Sequence, residues 1–545
     1  MDKLNILKKI NISRLLVIVP KWSKIALSLL LISSVFFLTA CGGGDSASLT
    51  ELPAVIEPPI VTEPPIVTEP PPIDEGTNLS QFSFLKSNNP ALSEDIYLDI
   101  NETLVTGRIV ENILVDNLVA TFEHDGDQVT VNDVVQTNST TANDFTGIVT
   151  YIVETDSGAQ ESYQVTITKF TGLPIIYIST NGSAVIDSKE DYIEGTVSID
   201  GGITHEPLSE SEMKIRGRGN STWDHPKKPF QMKLAEKTEF LGMPSDKKWL
   251  FLAEYSDKTM LRNTIAFEMG YLSKLDWTPK STFAEVYIND EYNGTYNITQ
   301  KVEESNNRVA LGDTGYLLEI DQIFRLDSDD VYFHTNDFLI NIKEPKLDIN
   351  SVEYHYVKDL VNEFEIVLHS NNFKDPVSGY AKYIDIDSFI DWYLISEITK
   401  NVDSKDFSSI YLNVMPGEKI KMGPLWDFDL SFGNVDYADS EYPDGYWVKY
   451  HSWYARLFQD PEFVTKIKER FEYFRRNQIY ILDKIDQHAE KLYLAQQQNN
   501  NKWLTMSIYV WPNPVVLGSY EKEVEHLKTW YIERMAWLDN AFSKL

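Results

Sequence analysis

Between residues 79 and 217 apolar residues recur at every second position in short runs. IYLDI, GRIV, ILVDNLVATFEHDGDQVTV, GIVTYIVET and ESYQVTITKF set Val, Ile, Thr and Tyr against polar neighbours, and His124-Asp125-Gly126-Asp127 and Asp156-Ser157-Gly158 punctuate them. Period-two alternation bounded by Asn, Asp and Gly predicts antiparallel strands. Roughly ninety such residues, 79–170, predict one β-sandwich module. A calcium site at Asp125 and Asp127 would need a second acidic cluster at fixed spacing, and none supports it. Further strands follow in LPIIYIST, YIEGTVSID and SEMKIRG, and then in KKPFQMKLA, where Lys228, Phe230, Met232 and Leu234 share a face.

The period then changes. In TMLRNTIAFEMGYLSKL the residues Leu261, Ile265, Glu268, Met269 and Leu272 fall at steps of three and four, which predicts an amphipathic helix. STFAEVYIND and EYNGTYNITQ predict a hairpin turning at Asn289-Asp290-Glu291, with its second strand starting near Gly294. GYLLEIDQ predicts a strand with Glu319 and Asp321 on one face. Residues 350–370 and 386–400 predict helices, the second capped by Asp385 or Asp387. From about Ser452 the pattern is helical and charged to the end. The class is therefore α+β, with residues 171–545 forming a second domain behind the β module.

The N-terminal residues follow neither period. Lys3, Lys8, Lys9, Arg14, Lys21 and Lys24 precede the short apolar run ALSLLLISSVFFL and then Leu38-Thr39-Ala40-Cys41, which is the order of an export signal. LTAC resembles the bacterial lipoprotein lipobox, which implies lipidation of Cys41 after removal of the apolar run. Gly42, standing where an Asp would favour inner-membrane retention, points to an outer-membrane or cell-surface location. Residues 42–78 contain EPPIVTEPPIVTEPPP, a Pro-rich disordered tether. At about 3 Å per residue, its stretch 57–74 spans on the order of 50 Å.

Charge alters this picture in one place. The 545 residues hold 49 Lys and Arg against 82 Asp and Glu, a net charge of -33, which argues against a nucleic-acid backbone as partner. Yet residues 214–248 carry nine basic residues against four acidic ones. Gly217 and Gly219 flank Arg218 there and permit amides to turn toward an anion, although the spacing is not that of a Walker loop. The aromatic share of 12% supplies ample core and leaves room for a sugar-binding surface.

The candidate chemistry lies in NVDSKDFSSIYLN and KMGPLWDFDLSFG. If the second is extended, Asp427 and Asp429 face one site, with Trp426, Phe428 and Leu430 anchored opposite. Paired carboxylates suit Mg²⁺ shared with nucleotide phosphates, and Asp403 adds a carboxylate able to orient an attacking hydroxyl.

RGRGNSTWDHPKKPFQMKL, YNGTYNITQKVE, NVDSKDF and GPLWDFDLSFG occur in this order, and over roughly residues 172–500 the chain resembles the CotH family of spore-coat-related atypical protein kinases. The resemblance implies a protein-kinase-like domain with a C-terminal helical region, using ATP and Mg²⁺ to phosphorylate serine or threonine of a protein. Asp403 would be catalytic, Asp427 would hold the metal, and Asp429 would assist it. Arg216, Arg218, Lys228 and Lys233 would contact the nucleotide, the two lysines foremost. Glu303 or Glu319 would hold such a lysine. Family members often carry a DxxxxNN pattern, where this chain has Phe407-Ser408-Ser409, so hydroxyls stand where carboxamides would ligate a second metal. The preceding sandwich resembles immunoglobulin-like or cadherin-like surface modules. The alternative expectation is a non-catalytic adhesion, scaffold or glycan-binding lipoprotein. Either is expected to be a monomer anchored through acylated Cys41, with a protein or a surface glycan as partner.

Overall fold

The computed structural model describes residues 76–545. The export signal, Cys41 and the tether up to residue 75 lie outside the described residues. Among the described residues no helix is long and apolar enough to cross a membrane.

The alternation of residues 79–170 becomes a six-stranded sheet, a three-stranded sheet built on Leu79–Phe84, and a two-stranded pair. Their inward residues share one apolar core. In it Phe82, Phe84, Phe122, Phe145 and Tyr151 meet at centroid separations of 4.9 to 6.5 Å. One pairing departs from the antiparallel expectation: Gln160–Phe170 runs parallel to Leu104–Val110, through seven paired positions. Asp125 and Asp127 staple turns. Asn78 N donates to Asp125 Oδ1 at 2.6 Å, and Asp156 N to Asp127 Oδ2 at 2.6 Å. An ion pair between Arg108 and Asp200 links this module to the next.

Seven strands then close into a barrel, in the order Ile175–Thr180, Ile193–Asp200, Leu208–Gly217, Phe230–Phe240, Met243–Leu252, Glu291–Gln300 and Ser281–Ile288. The parallel pairing of Ile175–Thr180 with Ser281–Ile288 completes it and removes the free sheet edges. Alternation sends Ile176, Ile215, Met232, Trp249, Phe251, Val286 and Ile298 inside. The hairpin turn is tighter than expected. Asn289 and Asp290 both adopt positive φ, 51° and 66°, and the return strand starts at Glu291. A two-residue turn of this hand matches the twist of its strands.

Beyond the barrel, a five-stranded antiparallel sheet runs in the order Val331–His334, Leu339–Glu344, Tyr316–Asp321, Ile410–Val414 and Lys421–Met422. Its core is shared with helices α1 (Arg262–Tyr271), α2 (Val352–His369), α3 (Ile386–Ile398), α4 (Ser452–Leu457), α5 (Pro461–Arg476), α6 (Gln478–Lys491), α7 (Tyr493–Trp503) and α8 (Tyr520–Ser543). Side chains of Ser351, Asp385, Asp460 and Ser519 accept first-turn amides of α2, α3, α5 and α8. The amphipathic expectation for α1 fails, since every residue from Arg262 to Gly270 is buried. Its polar side chains are enclosed because they bond to neighbouring elements, Arg262 and Asn263 to the loop at 428–431, Thr264 to a barrel strand and Glu268 to α6.

The deepest ion pair fastens α8 to α3. Arg534 Nη2 donates to Glu397 Oε1 at 2.6 Å and to Glu397 O at 2.7 Å, and Nη1 donates to Pro443 O and Gly445 O at 2.8 and 2.6 Å. Neither side chain of the pair is exposed. Removing one partner strands a buried charge and three carbonyls. Arg534→Met is expected to destabilise the protein by about 3–5 kcal/mol in denaturant unfolding. A loss below about 1 kcal/mol would show that the pair does not hold the helices together.

Candidate active site

A cleft of about 470 Å³ opens where the barrel meets the five-stranded sheet and the loops after α3. Asp403, Asp427, Asp429, Glu319, Arg216 and Arg218 all line it. Positions as far apart in sequence as Arg216 and Asp429 thus converge.

The loop carrying Asp427 and Asp429 is not the extended segment expected. Only Lys421–Met422 is strand, and Asp427 has a φ of 66°. Trp426 and Leu430, expected behind the carboxylates, line the cleft with them, while Phe428 is buried. Three asparagine side chains hold this backbone. Asn401 Nδ2 donates to Asp427 O at 3.0 Å, Phe428 N donates to Asn263 Oδ1 at 2.8 Å, and Asn434 Nδ2 donates to Asp429 O at 2.9 Å. Asn263 lies on α1, which explains why that helix is buried all round. Its Nδ2 also donates to Glu254 Oε1 at 3.1 Å, a carboxylate that Asn297 Nδ2 reaches at the same distance. Glu254 and Ser409, both lining the cleft, share positive φ with Asp427, at 49° and 60°. Strained backbone gathered at one cleft is a mark of a working site.

The electrostatics are lopsided. Asp403 and Asp429 accept no side-chain hydrogen bond among the described residues, and Asp427 Oδ2 accepts one, from Ser409 Oγ at 3.2 Å. Burial, then the charge of Asp427, pushes the Asp403 carboxyl up to about 7. Burial first, then Asp427 and Glu254, pushes Asp429 well above the carboxylate range. Burial and neighbouring Asp257 raise Glu254 to about 7. Opposite these groups stands Arg218, whose guanidinium makes no hydrogen bond or ion pair among the described residues and lies 5.7 Å from the Trp426 ring centre. Burial lowers its pKa, opposed by Asp427 and then by Tyr411, Asp429 and Glu254. The cleft therefore holds an unsatisfied cluster of carboxylates facing an arginine with open donors. Among the described residues no three Asp, Glu, His or Cys side chains form a ready-made metal cage. Magnesium characteristically takes one or two carboxylates and completes its shell with phosphate and water, so Asp427 and Asp429 fit that use.

The lysines expected at the nucleotide lie elsewhere. Lys228 Nζ donates to Trp223 O at 2.5 Å, and Lys233 is exposed on the barrel wall between Lys214 and Lys248. Neither lines the cleft. Alternation that buries Ile215 and Met232 turns Lys214 and Lys233 outward, so part of the basic block is a solvated ladder. Lys214 in it pairs with Glu194 at 2.8 Å, and Lys248 with Glu303 at 2.7 Å. Glu303 also contacts Arg308 and stays outside the cleft lining. Glu319 pairs instead with Lys343 at 3.4 Å, a cleft lysine that no motif singled out. Strand pairing of Tyr316–Asp321 with Leu339–Glu344 brings the two together.

The glycine turn differs as well. The amides of Gly217 and Arg218 donate to Ser188 O and Pro229 O at 2.8 and 3.2 Å, so they do not cradle a ligand. Gly217 is required because the Trp223 ring lies 2.3 Å from where a Cβ would stand, and Gly219 because its φ is 89°. Arg216 lines the cleft, 4.8 Å from the Tyr192 ring centre, with its Nε buried and unpartnered. Ser408 Oγ is likewise buried and unpartnered, beside Ser409.

Comparison with solved structures returns a candidate secreted protein from Bacteroides fragilis, 16% identical, covering 17% of this chain and 96% of its own, with a TM-score of 0.13. It also returns a candidate glycoside hydrolase from Bacteroides thetaiotaomicron, 14% identical, covering 48% of this chain and 82% of its own, again at 0.13. Scores this low extend neither description to this chain. No curated protein matches it. The family model described as CotH kinase protein matches residues 215–538, more than half of the 545 residues, and the chain belongs to that family.

Proposed function

We propose that this protein transfers a phosphoryl group from ATP, with Mg²⁺, to a serine or threonine of a protein at the cell surface, as a lipoprotein held by Cys41 and its Pro-rich tether. The observation that carries the reading is the convergence in one cleft of Asp403 and Asp429, which accept no side-chain hydrogen bond among the described residues, and Asp427, which accepts one, with the unpaired Arg218. Such a set matches the needs of phosphoryl transfer, which asks for positioning and charge neutralisation more than for covalent chemistry.

Asp427 and Asp429 would hold Mg²⁺, which when bound neutralises phosphate charge. Arg218, with Arg216 beside it, offers open N–H donors to phosphate oxygens. Asp403 would accept the proton of the attacking hydroxyl, and its raised pKa brings a carboxylate near the value at which a base works best at neutral pH. Glu319 and Lys343, an ion pair in the cleft, would serve as the acid–base pair that the family resemblance implies, with Lys343 in place of the lysines of the basic block. Ser409 would orient Asp427 through its hydroxyl.

Asp403→Asn is expected to lower transfer of label from γ-labelled ATP by about 10²–10⁴-fold while leaving Mg²⁺-dependent nucleotide binding within about threefold. Label transfer at the wild-type rate would remove Asp403 from the chemistry. If the intact protein neither binds nucleotide with Mg²⁺ nor transfers label, the whole reading falls.

Arg218→Met is expected to weaken nucleotide binding by about tenfold or more, the loss of one charge-assisted contact. Lys233→Met should leave it unchanged, and the reverse pattern would restore the basic ladder as the phosphate site.

The carboxylates also link stability to pH. Asp403 titrates near 7 in the folded chain against an ordinary 3.8, so the fold retains its proton and loses stability as pH rises from about 4 to about 7. A cation at the site relieves that repulsion, so Mg²⁺ is expected to raise the melting temperature more at about pH 8 than at about pH 5. Equal shifts at both values would argue against a cation at these carboxylates.

A further inference from the structure

One feature of the cleft is unused by phosphoryl transfer. Tyr437 and Trp511, from separate loops, both line it and stack nearly parallel, with ring centroids 6.4 Å apart and planes 16° apart. Trp511 remains 51% exposed and Tyr437 37%. Large aromatic faces left in water at a cleft forgo the stabilisation that burial would supply.

The rings are held in register with the carboxylates. Asp436 N donates to Pro512 O at 3.0 Å, tying the two ring-bearing loops together, and Tyr509 Oη donates to Asp436 Oδ2 at 3.0 Å. Asn513 Nδ2 donates to Ser256 O at 2.6 Å and to Asn434 Oδ1 at 3.0 Å, and Asn434 in turn holds the Asp429 carbonyl. The Tyr437 hydroxyl has no hydrogen-bond partner among the described residues. Burial, followed by the charges of Asp403, Asp429 and Asp436, pushes it up to about 12, so the phenol lies within the field of the carboxylates.

We propose that the Tyr437–Trp511 stack is a saccharide-binding subsite that seats a neutral pyranose unit at the entrance of the cleft. The C–H face of a pyranose packs on an exposed aromatic face, as the half-exposed Trp511 ring offers with Tyr437 stacked against it, while its hydroxyls need acceptors close by. Asp403, which lines the same cleft, and the unpartnered Tyr437 hydroxyl supply them. A net charge of -33 and the surrounding carboxylates repel acidic polymers, so the sugar is uncharged. A lysine-rich peptide would be drawn by the same charge, but a compact ammonium covers only the centre of a ring and leaves the rest of the exposed Trp511 face in water.

The test titrates the intact protein, without nucleotide or Mg²⁺, with neutral hexasaccharides of glucose, N-acetylglucosamine and mannose. Binding is read by tryptophan fluorescence and calorimetry. At least one sugar is expected to bind saturably in the range of about 0.1–1 mM. Trp511→Ala should weaken it by about tenfold or more, while Trp511→Phe, which retains a ring and reports on folding, stays within about threefold. Absence of binding by all three sugars at roughly 10 mM overturns the proposal. So does wild-type affinity in Trp511→Ala, or Trp511-dependent binding of a lysine-rich peptide without any of the sugars. With no nucleotide in the assay, its outcome is independent of the phosphoryl-transfer reading.

Discussion

Crowding carboxylates into a poorly solvated cleft is the constraint on which the CotH-family half of this molecule depends. Asp403, Asp427, Asp429 and Glu254 repel one another there, and burial raises three of the four carboxyls far above their ordinary range. A folded chain tolerates such a cluster only when its neighbours hold the backbone in place. Here that work falls to amide side chains, which bond to carbonyls and amides without adding charge. Asn401, Asn263 and Asn434 grip residues 427, 428 and 429 in turn.

The larger architecture serves to deliver these amides. Asn263 arrives on α1, buried between barrel and helices. Asn401 arrives just beyond α3, whose last turn is locked by the Glu397–Arg534 pair. Asn434 is tied onward to Asn513, in the segment between α7 and α8. Barrel, sheet and C-terminal helices therefore meet at one loop, and the aromatic stack of Tyr437 and Trp511 is carried by the same chain of hydrogen bonds. The cationic wall of the cleft is supplied by the barrel strand Leu208–Gly217 and the turn after it, where Gly217 makes room for Trp223 and Arg218 projects beside Trp426.

Local charge did not single out the cations that line the cleft. Residues 214–248 are basic in sequence, yet strand alternation sets Lys214, Lys233 and Lys248 side by side on the outside of the barrel. Arg218 does line the cleft, distinguished by its lack of a hydrogen-bond or ion-pair partner among the described residues rather than by its neighbours in sequence. Lys343 reaches the cleft for a reason that no linear motif carries, since it depends on which strand pairs with Tyr316–Asp321.

Period-two runs were enough to determine most strands of both β regions, the hairpin around Asn289-Asp290, and the shared face of Glu319 and Asp321, because alternation is a local property of the backbone. The cap of α3, narrowed to Asp385 or Asp387, and the C-terminal helices were legible on the same ground, and the motifs around Asp403 and Asp427 were enough to suggest the family. Tertiary structure alone decided the rest. The left-handed backbone at Asp427, the full burial of α1 and the parallel pairing within the first module follow from contacts between residues far apart in sequence. So do the exclusion of Lys228, Lys233 and Glu303 from the cleft and the selection of Arg218 and Lys343. A residue's propensity is set by its neighbours in the chain, whereas its partner, its exposure and its charge state are set by whatever the fold packs against it.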